Sequence, residues 1–271
     1  MHPNKKTMRN NSSLVKVAFL HIEPELGQIE ANRRLIEKGI RLAAERGASW
    51  VVTPELATSG FFFQDEIGTD WIETQPDAWM KRLLELSRHY HLTIFLAVPE
   101  RDAGSGKLYN ATFILGPEGK VTGRHRKMNI HKDHSAESCF EPGSPAEVDA
   151  FSCNGIKAGI LICADSWNAY CADTLKEKGA QLLVSPAAWP LEPCGPEGCW
   201  ERRSAETGLP IWVCNRTGEE QMLDFKKAES IVAVRGERRL SAALEKSAVL
   251  FFDWDMKAME PLSNEFEVVY L

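Results

Sequence analysis

The sequence predicts an α/β sandwich in which helices lie outside two mixed β-sheets. Short apolar segments alternate with amphipathic segments in both halves of the chain, and a β-rich insert separates the halves. That order is typical of sheets covered by helices. No stretch is long or polar enough to serve as a linker, so we expect a flexible tail over residues 1–13 and a single domain over residues 14–271.

The first half of the chain predicts strands and helices in alternation. Short β-branched runs predict strands over residues 14–21, 49–53 and 93–98. Residues 32–48 carry apolar side chains at the spacing of one helical face, and Gly47 marks the end of that helix. A second helix is expected over residues 76–90, with Pro76 in its first turn.

The second half begins with a predicted hairpin and then returns to alternation. The turn sequence GPEG at 116–119 joins residues 108–115 to residues 120–123, and these two runs should pair. Further strands are expected over residues 156–163, 182–185 and 211–214, with more strands between 230 and 254. Helices are expected over residues 166–178 and 199–207, each followed by a glycine.

The composition argues against several classes of partner. A net charge of -6 argues against nucleic acid or an anionic membrane surface as the main partner. No apolar stretch approaches the ~20 residues that a membrane-spanning helix needs. Residues 1–13 are polar and basic without an apolar core, so they do not resemble a signal peptide. The seven irregularly spaced cysteines are then expected to be reduced thiols in a cytoplasmic protein.

Cys163 is the most informative single residue. It follows the apolar run 159–162 and precedes a predicted helix, so a buried strand delivers its thiol to a sharp turn. The positive end of the following helix is expected to lower the pKa of this thiol and make it a nucleophile. The simpler alternative is one more buried cysteine, since free cysteine is among the most buried residue types.

Two other reactive groups also stand where a predicted strand ends. Glu55 follows the strand over residues 49–53, and Lys127 follows the second arm of the hairpin. Taken singly, the glutamate could be solvated or cap a helix, and the lysine could be a surface group. A carboxylate, an ammonium and a thiol together are suited to acyl transfer: the carboxylate takes the thiol proton, the thiolate attacks, and the ammonium stabilises the negative charge.

Three segments resemble the signature segments of the nitrilase superfamily, the carbon-nitrogen hydrolases. They are residues 51–60 (VVTPELATSG), Arg126-Lys127 and residues 159–165 (GILICAD), in the family's order. Further similarity extends from about Leu14 to about Phe252. The resemblance, which is to amidase-like members, implies a four-layer αββα sandwich, and this agrees with the alternation of predicted elements.

The resemblance also implies the roles of individual residues. Cys163 would be the nucleophile, and Glu55 would act first as general base and then as general acid. Lys127 would stabilise the oxyanion together with the backbone N–H of Ala164. These implied roles agree with those that the chemistry of a carboxylate, an ammonium and a thiol suggests.

The pocket around the nucleophile departs from the family pattern. Many members carry a second glutamate that positions substrate or water; Glu137 is the candidate here and Glu141 its rival. The family often has an aromatic residue after the nucleophile, where this chain has Ala164, and Trp167 lies nearby. We therefore expect a reshaped acyl pocket, with Trp189 as a substrate-positioning candidate, although an aromatic residue at a strand end is as often part of the core.

These observations predict a hydrolase that cleaves a non-peptide carbon-nitrogen bond through a cysteine thioester. We expect it to convert a small amide into a carboxylate and ammonia or an amine, with no cofactor. A nitrilase and an N-carbamoyl amide hydrolase remain alternatives, because the same three residues would serve them. The alternative of another class is a catalytically silent family member that binds a small molecule or a protein.

A metal site is not expected. His125, His131 and His134 cluster in the sequence, and Cys194 lies close to Cys199, but none of these pairs has the spacing of zinc ligands. The histidines are expected on a loop near the mouth of the site.

A homodimer or higher homo-oligomer is expected from the resemblance, since the helix after the nucleophile packs across a twofold axis in the family. The predicted helix over residues 166–178 includes Trp167, Tyr170, Cys171 and Leu175, more apolar surface than one face needs to cover its own sheet. The alternative is that these side chains are all satisfied within the monomer.

Overall fold

The computed structural model describes residues 13–130, 132, 135–192 and 195–271. Of the predicted tail, only Ser13 lies within these ranges. His131, His134 and Cys194, which the metal alternative invoked, lie outside the described residues.

Strands and helices alternate along both halves of the chain. The first half contains β1 (Leu14–His21), α1 (Ile29–Glu45), β2 (Trp50–Val52), α2 (Phe63–Ile67), α3 (Ala78–Tyr90), β3 (Thr93–Arg101), β4 (Leu108–Gly116) and β5 (Lys120–Arg126). The second half contains β6 (Ala150–Cys153), β7 (Ile156–Ile160), α4 (Ala169–Glu177), β8 (Leu182–Ala187), α5 (Cys199–Thr207), β9 (Ile211–Asn215), β10 (Glu219–Glu220), β11 (Leu223–Asp224), β12 (Ser230–Val234), β13 (Glu237–Ala242), β14 (Ala248–Asp255), β15 (Glu260–Pro261) and β16 (Glu267–Tyr270). Short 3₁₀ helices lie at Ser135–Glu137, Pro145–Glu147 and Cys163–Ser166.

Two mixed sheets form the centre of the structure. The larger sheet has the strand order β15-β14-β1-β2-β3-β4-β5, and β16 also pairs with β14. Its strands β1, β2 and β3 are parallel to one another. On either side of them, β14 pairs antiparallel with β1 and β4 pairs antiparallel with β3, and β5 then pairs antiparallel with β4. The smaller sheet has the order β13-β12-β9-β8-β7-β6, with β7, β8 and β9 parallel. Parallel strands at the centre of each sheet place their carboxyl ends on one rim.

Each sheet packs against the other on one face and against helices on the other face. Trp50 of the larger sheet meets Trp212 of the smaller sheet edge to face, with ring centroids 5.5 Å apart. On the outer side, Ile36 of α1 and Leu83 of α3 share a buried cluster with β1 and β3. Helices α4 and α5 cover the smaller sheet through residues such as Leu175. The predicted four-layer αββα sandwich is therefore confirmed.

The sequence misplaced the boundaries around the predicted nucleophile. The strand predicted over residues 156–163 ends at Ile160, and the chain then enters the 3₁₀ turn Cys163–Ser166. The helix predicted over residues 166–178 starts only at Ala169. Apolar Leu161 and Ile162 extend the hydrophobic pattern beyond the strand, because both side chains are buried in the core. The strands β6 and β16 and the helix α2 are short, and we did not predict them.

Two further expectations concern the oxidation state of the cysteines and the presence of membrane-spanning helices. The six cysteines within the described ranges, out of seven in the sequence, are all unpaired. Across the same part of the chain, the helices are too short or too polar to cross a membrane.

His21, at the end of β1, is a fully buried histidine that belongs to a polar network in the core. Its Nδ1 lies 2.9 Å from the Ser230 hydroxyl, and the same hydroxyl accepts a hydrogen bond from the backbone N–H of Asn215. Burial lowers the pKa of His21 to about 4, because the core disfavours a charged imidazolium. The folded protein therefore holds His21 neutral at neutral pH.

This buried histidine predicts a loss of stability in acid. The unfolded chain takes up a proton below the ordinary histidine pKa of about 6.5, while folded His21 resists protonation until about pH 4. The contribution of this group is complete above pH 6.5 and should fall by about 3 kcal/mol between pH 6.5 and pH 4. His21→Asn should remove that part of the pH dependence in urea titrations, whereas His91→Asn, at an exposed position, should leave it intact. Identical acid profiles for the wild type and His21→Asn would contradict this assignment.

Candidate active site

The three predicted reactive residues come together in the interior, at the rim where the two sheets meet. Glu55 lies three residues after β2, Lys127 directly after β5, and Cys163 three residues after β7. All three are buried: Glu55 and Lys127 each expose 1% of their surface and Cys163 exposes 5%. A backbone hydrogen bond from the N–H of Glu55 to the carbonyl of Ala187 joins the two sheets here. The site is thus formed by both sheets and not by one alone.

Lys127 is the centre of the cluster. Its Nζ donates to Oε1 of Glu55 at 2.8 Å and to Oε1 of Glu137 at 2.5 Å. Burial alone would lower the pKa of Lys127, but the negative charges of Glu137 and Glu55 outweigh it and raise that pKa well above its ordinary value. The lysine is therefore a fixed cation at any pH near neutrality. Of the two candidates for the second glutamate, the structure brings Glu137 to the cluster, while Glu141 is partly exposed and pairs with Lys132 at 3.3 Å.

The Glu55 carboxylate is held by groups other than the lysine as well. The side-chain amide of Asn110, on β4, donates to Oε1 at 2.8 Å, and the backbone N–H of Ala188 donates to Oε2 at 3.0 Å. The backbone carbonyl of Asn110 also accepts a hydrogen bond from the backbone N–H of Lys127 at 2.8 Å. We did not predict a role for Asn110. The available signal was a lone amide side chain within the largely apolar segment 108–115, because a buried amide requires hydrogen-bond partners.

Cys163 has an unusual backbone conformation. Its φ of 47° lies in the left-handed region, which a residue with a Cβ adopts only at an energetic cost. This conformation turns the chain sharply from β7 into the 3₁₀ helix, as in nucleophile turns on other folds. Ala164 is the second residue of that helix, where a backbone N–H has no partner within the turn itself. The backbone at this position is thus suited to bind an anionic oxygen.

The protonation state of Cys163 corrects one sequence-based expectation. We expected the following helix to lower the pKa of the thiol. Instead, burial raises it most, the negative charge of Glu55 raises it further, and the charge of Lys127 only partly opposes them. The turn that follows is a four-residue 3₁₀ helix and α4 starts six residues later, so the dipole available at the sulfur is small. The resting residue is therefore a thiol.

Asp165 links the lysine segment to the nucleophile turn. Its Oδ1 accepts backbone N–H groups from Met128 at 2.9 Å and Asn129 at 2.8 Å. Its Oδ2 accepts the N–H of Ile162 at 3.0 Å and lies 2.9 Å from Nε2 of His125. This fully buried carboxylate therefore fixes the residues beside Lys127 relative to those beside Cys163. Asp165 stands two residues after the cysteine in the sequence, but no sequence pattern indicated these partners.

His125 does not lie where we expected it. The predicted position was a loop at the mouth of the site, but His125 belongs to β5 and exposes only 3% of its surface. Its contact with Asp165 explains the burial, because a buried carboxylate requires donors on both oxygens. Within the described ranges, no three histidine, cysteine, aspartate or glutamate side chains are arranged to hold a metal ion.

Contacts with Gly143 and Glu100 fix the backbone around Lys127. Gly143 donates its N–H to the carbonyl of Lys127 at 2.8 Å. A Cβ at this glycine would lie 2.4 Å from the carbonyl oxygen of Arg126, so a larger residue would push the lysine segment aside. Arg126 itself forms two 2.8 Å hydrogen bonds with the carboxylate of Glu100. These contacts leave Lys127 little freedom to move.

Trp189 lies beside the cluster in a group of three tryptophans. Its ring stacks on that of Trp167 at a centroid distance of 5.4 Å and meets Trp200 edge to face at 5.4 Å. The side chain of Asn215 bonds both the N–H and the carbonyl of Trp189. The residue before it, Ala188, donates to Glu55. The structure therefore places Trp189 next to the site, where it forms an apolar wall.

A cysteine, a glutamate and a lysine lie together in the buried interior between the two sheets of an αββα sandwich, and this set of groups is chemically suited to an enzyme that transfers acyl groups. The profile of the carbon-nitrogen hydrolase family matches residues 16–262 of the chain. The chain belongs to this family and is a hydrolase of the nitrilase superfamily.

Individual relatives agree with this assignment. A nitrilase of Pyrococcus abyssi is 30% identical over 237 residues, which span 86% of each chain. The omega-amidase NIT2 of Mus musculus is 26% identical over 244 residues, or 85% of each chain. The fold is similar to that of an amidase from Nesterenkonia sp. AN1, with a TM-score of 0.76, 21% identity and coverage of 91% and 92% of the two chains. That structure is of a glutamate-to-leucine mutant of the amidase and shows covalent addition of the acetamide moiety of fluoroacetamide at its active-site cysteine.

The contacts of Asp165 lead to a prediction. Asp165→Asn keeps the size of the side chain but turns an amide group toward at least one N–H donor, so a buried donor loses its partner. We expect the free energy of unfolding to fall by about 2–4 kcal/mol and the rate of Cys163 alkylation by iodoacetamide to fall by about tenfold. Asp173→Asn, on the exposed face of α4, is the matched control and should change neither quantity. Unchanged alkylation in a destabilised Asp165→Asn protein would restrict the residue to a role in folding.

Proposed function

We propose that this protein hydrolyses a small amide to a carboxylate and ammonia or an amine, with Cys163 as nucleophile, Glu55 as proton carrier and Lys127 as oxyanion stabiliser. The observation that carries the proposal is the fully buried Lys127, bonded to two carboxylates beside a strained cysteine. A protein that only bound ligands would have no use for so costly an arrangement of charges. The domain that performs this chemistry would span residues 14–271.

The first half of the proposed reaction forms a thioester. As Sγ of Cys163 attacks the carbonyl carbon, its proton passes to the carboxylate of Glu55, and the carbonyl electrons move to the oxygen. Lys127 and the N–H of Ala164 stabilise the resulting oxyanion. The carbon–nitrogen bond then breaks, and the leaving nitrogen takes the proton from Glu55. Because the resting thiol is protonated, a base at this position is required and not merely helpful.

The second half releases the acid. A water molecule gives one proton to Glu55 while its oxygen attacks the thioester carbon, and Lys127 again faces the oxyanion. The carbon–sulfur bond breaks, the proton on Glu55 returns to the sulfur, and the carboxylic product leaves. Glu137 keeps Lys127 in place through both halves, because its bond to Nζ does not depend on the protonation of Glu55. The substrate-positioning role of Trp189 would be to pack against the acyl group.

An amide is the substrate we favour over a nitrile or an N-carbamoyl compound. The relatives point both ways, since one is a nitrilase and the other an omega-amidase. The glutamate-to-leucine mutant of the Nesterenkonia amidase carries the acetamide moiety of fluoroacetamide on its active-site cysteine. Forming that bond displaces fluoride and leaves the amide intact, so it supports a nucleophilic cysteine in a site that accepts a small amide. The same attack on a nitrile would give a thioimidate, so a nitrilase is the second candidate.

The unpaired state of the six described cysteines is consistent with a reducing compartment, and we propose a cytoplasmic location.

Substrate screening with defined variants tests the proposed function. Wild-type protein should release ammonia from at least one member of a panel of short amides, nitriles and N-carbamoyl compounds. Cys163→Ala should lose this activity by about 10⁴-fold or more while keeping its fold, and Glu55→Gln should do the same through loss of proton transfer. Cys153→Ala, at a buried cysteine of β6, is the control and should retain activity.

Mass spectrometry of protein quenched during turnover should show an acyl group on Cys163. An adduct on any other cysteine, or ammonia release that survives Cys163→Ala, would refute the assignment. Activity confined to nitriles would instead establish the second candidate.

We also propose that the protein is a homodimer or a higher homo-oligomer through the segment that follows the nucleophile. Trp167 and Tyr170 expose 47% and 51% of their surface, large fractions for aromatic side chains. Cys171 and Leu175, which we had counted as surplus apolar surface, are buried within the monomer. The surface that a second copy would cover therefore consists of Trp167 and Tyr170. Since Trp167 stacks on Trp189, such a contact would also steady the wall of the site.

Sedimentation tests this assembly. At micromolar concentration the protein should sediment as at least twice its chain mass of 30.4 kDa. Tyr170→Glu should place a charge in the twofold contact, shift the protein toward the monomer and weaken activity. Tyr270→Glu, at a tyrosine on β16 that is more exposed than Tyr170, should leave the assembly unchanged. A fully active wild-type monomer would show that no such interface is needed.

A further inference from the structure

A second buried ion pair lies outside the proposed catalytic cluster. Arg216 follows β9 and Glu220 ends β10; Arg216 exposes 1% of its surface and Glu220 exposes 4%. The guanidinium Nη1 of Arg216 donates to Oε2 of Glu220. The other oxygen of Glu220 accepts the backbone N–H groups of both Phe61 and Phe62, each at 2.6 Å. Glu220 therefore connects two parts of the chain that are about 160 residues apart.

Arg216 connects this pair to two more segments. Its Nη2 donates to the carbonyl of Pro24, in the loop after β1, at 3.3 Å. Its guanidinium lies over the ring of Phe225 at 4.4 Å from the centroid. Phe225 in turn donates its N–H to the carbonyl of Gly218 at 2.8 Å, which closes the β10–β11 hairpin at its base. The ion pair thus holds the hairpin onto the loops of both sheets.

The fit around Glu220 is tight. A Cβ on Gly60, whose φ is 76°, would lie 2.8 Å from Oε2 of Glu220 and 3.2 Å from the Cα of Leu26. The turn after Glu55 must therefore have a glycine at this position for the carboxylate to reach it.

The segments that Glu220 joins form the wall next to the catalytic cluster. Phe61, fixed through its N–H, packs in a buried group with Ala188, Phe225 and Leu223. Ala188 is the residue whose N–H donates to Glu55. The hairpin also contributes Met222, Leu223 and Asp224 to a cavity of about 490 Å³, which, among the described residues, is also lined by Leu191, Glu192 and Lys227. Leu223 links this cavity to the buried group that contains Ala188 and Phe61.

The direct contacts that hold the catalytic groups do not include Glu220. Glu55 is held by Asn110, Lys127 and Ala188. The turn at Cys163 is held by Asp165 from the opposite side. Loss of Glu220 would therefore loosen the wall and the cavity while leaving the reacting groups in place. Interactions of this kind affect the binding of substrate more than the chemical step.

We propose that Glu220, held by Arg216, is a positioning residue of the hydrolysis: it fixes the turn after Glu55 and the β10–β11 hairpin, and so shapes the pocket that receives the acyl group. This inference rests on the proposed function, because it concerns the same site. It differs from a purely structural role in what it predicts. A structural pair would change stability alone, whereas a positioning pair changes KM.

The experiment compares Glu220→Gln with a matched variant elsewhere. Glu220→Gln removes the charge and should raise KM by about tenfold while kcat changes by less than about threefold. The control is Asp77→Asn, because Asp77 is likewise a buried carboxylate that pairs with an arginine, Arg33, and accepts a backbone N–H, from Met80. Asp77→Asn should lower the melting temperature without changing KM. The backbone amides of residues 56–63 and 218–225 should exchange hydrogen faster in Glu220→Gln than in the wild type, and Asp77→Asn should not show this increase.

A second variant keeps the test decisive if Glu220→Gln does not fold. Glu220→Asp retains the charge opposite Arg216 but withdraws the carboxylate by one methylene from the N–H groups of Phe61 and Phe62, and KM should again rise. An unchanged KM in a folded Glu220 variant, with stability lowered as in Asp77→Asn, would overturn the positioning role. Wild-type protein that hydrolyses no substrate and resists alkylation at Cys163 would instead refute the proposed function, and the positioning role with it.

Discussion

The structure depends on the burial of the Lys127 ammonium between two carboxylates. Removing an ion from water costs several kcal/mol even after the protein has relaxed, so each of these charges needs partners that stay in place. Glu55 gains the amide of Asn110 and the N–H of Ala188, and Lys127 gains both glutamates. One positive and two negative charges leave the cluster with an excess of negative charge. That excess, together with burial, explains why the neighbouring thiol keeps its proton.

This requirement constrains how the two sheets meet. The lysine enters from β5 of the larger sheet and the cysteine from β7 of the smaller one, so neither sheet can supply the cluster alone. Two contacts fix the sheets relative to each other at this rim. Asp165 binds the N–H groups on both sides, and the backbone of Glu55 bonds to Ala187. The left-handed conformation of Cys163 persists there because these contacts hold the turn from several directions and offset its strain.

The sequence predicted the positions of the reactive residues better than their environment. Strand ends can be read from apolar runs, so Glu55, Lys127 and Cys163 could be placed on one rim before any coordinates were known. The direction of the Cys163 pKa shift could not be predicted from the sequence, because it depends on burial and on a carboxylate supplied by a distant segment. His125 was misplaced for the same reason, since its partner Asp165 lies 40 residues away. Helix propensity and apolar spacing carry no information about such pairings.

The negative charge of the cluster explains how a protonated thiol can still be a useful nucleophile. In the proposed reaction, transfer of the sulfur proton neutralises Glu55 just as the oxyanion appears near Lys127. The total charge of the buried site is therefore the same before and after attack, and only its location changes. No additional ion has to be desolvated at the transition state, which is where a preorganised cation contributes most. Until a carbonyl is bound to accept that charge the cysteine remains a thiol, and a thiol reacts slowly with oxidants that attack thiolates.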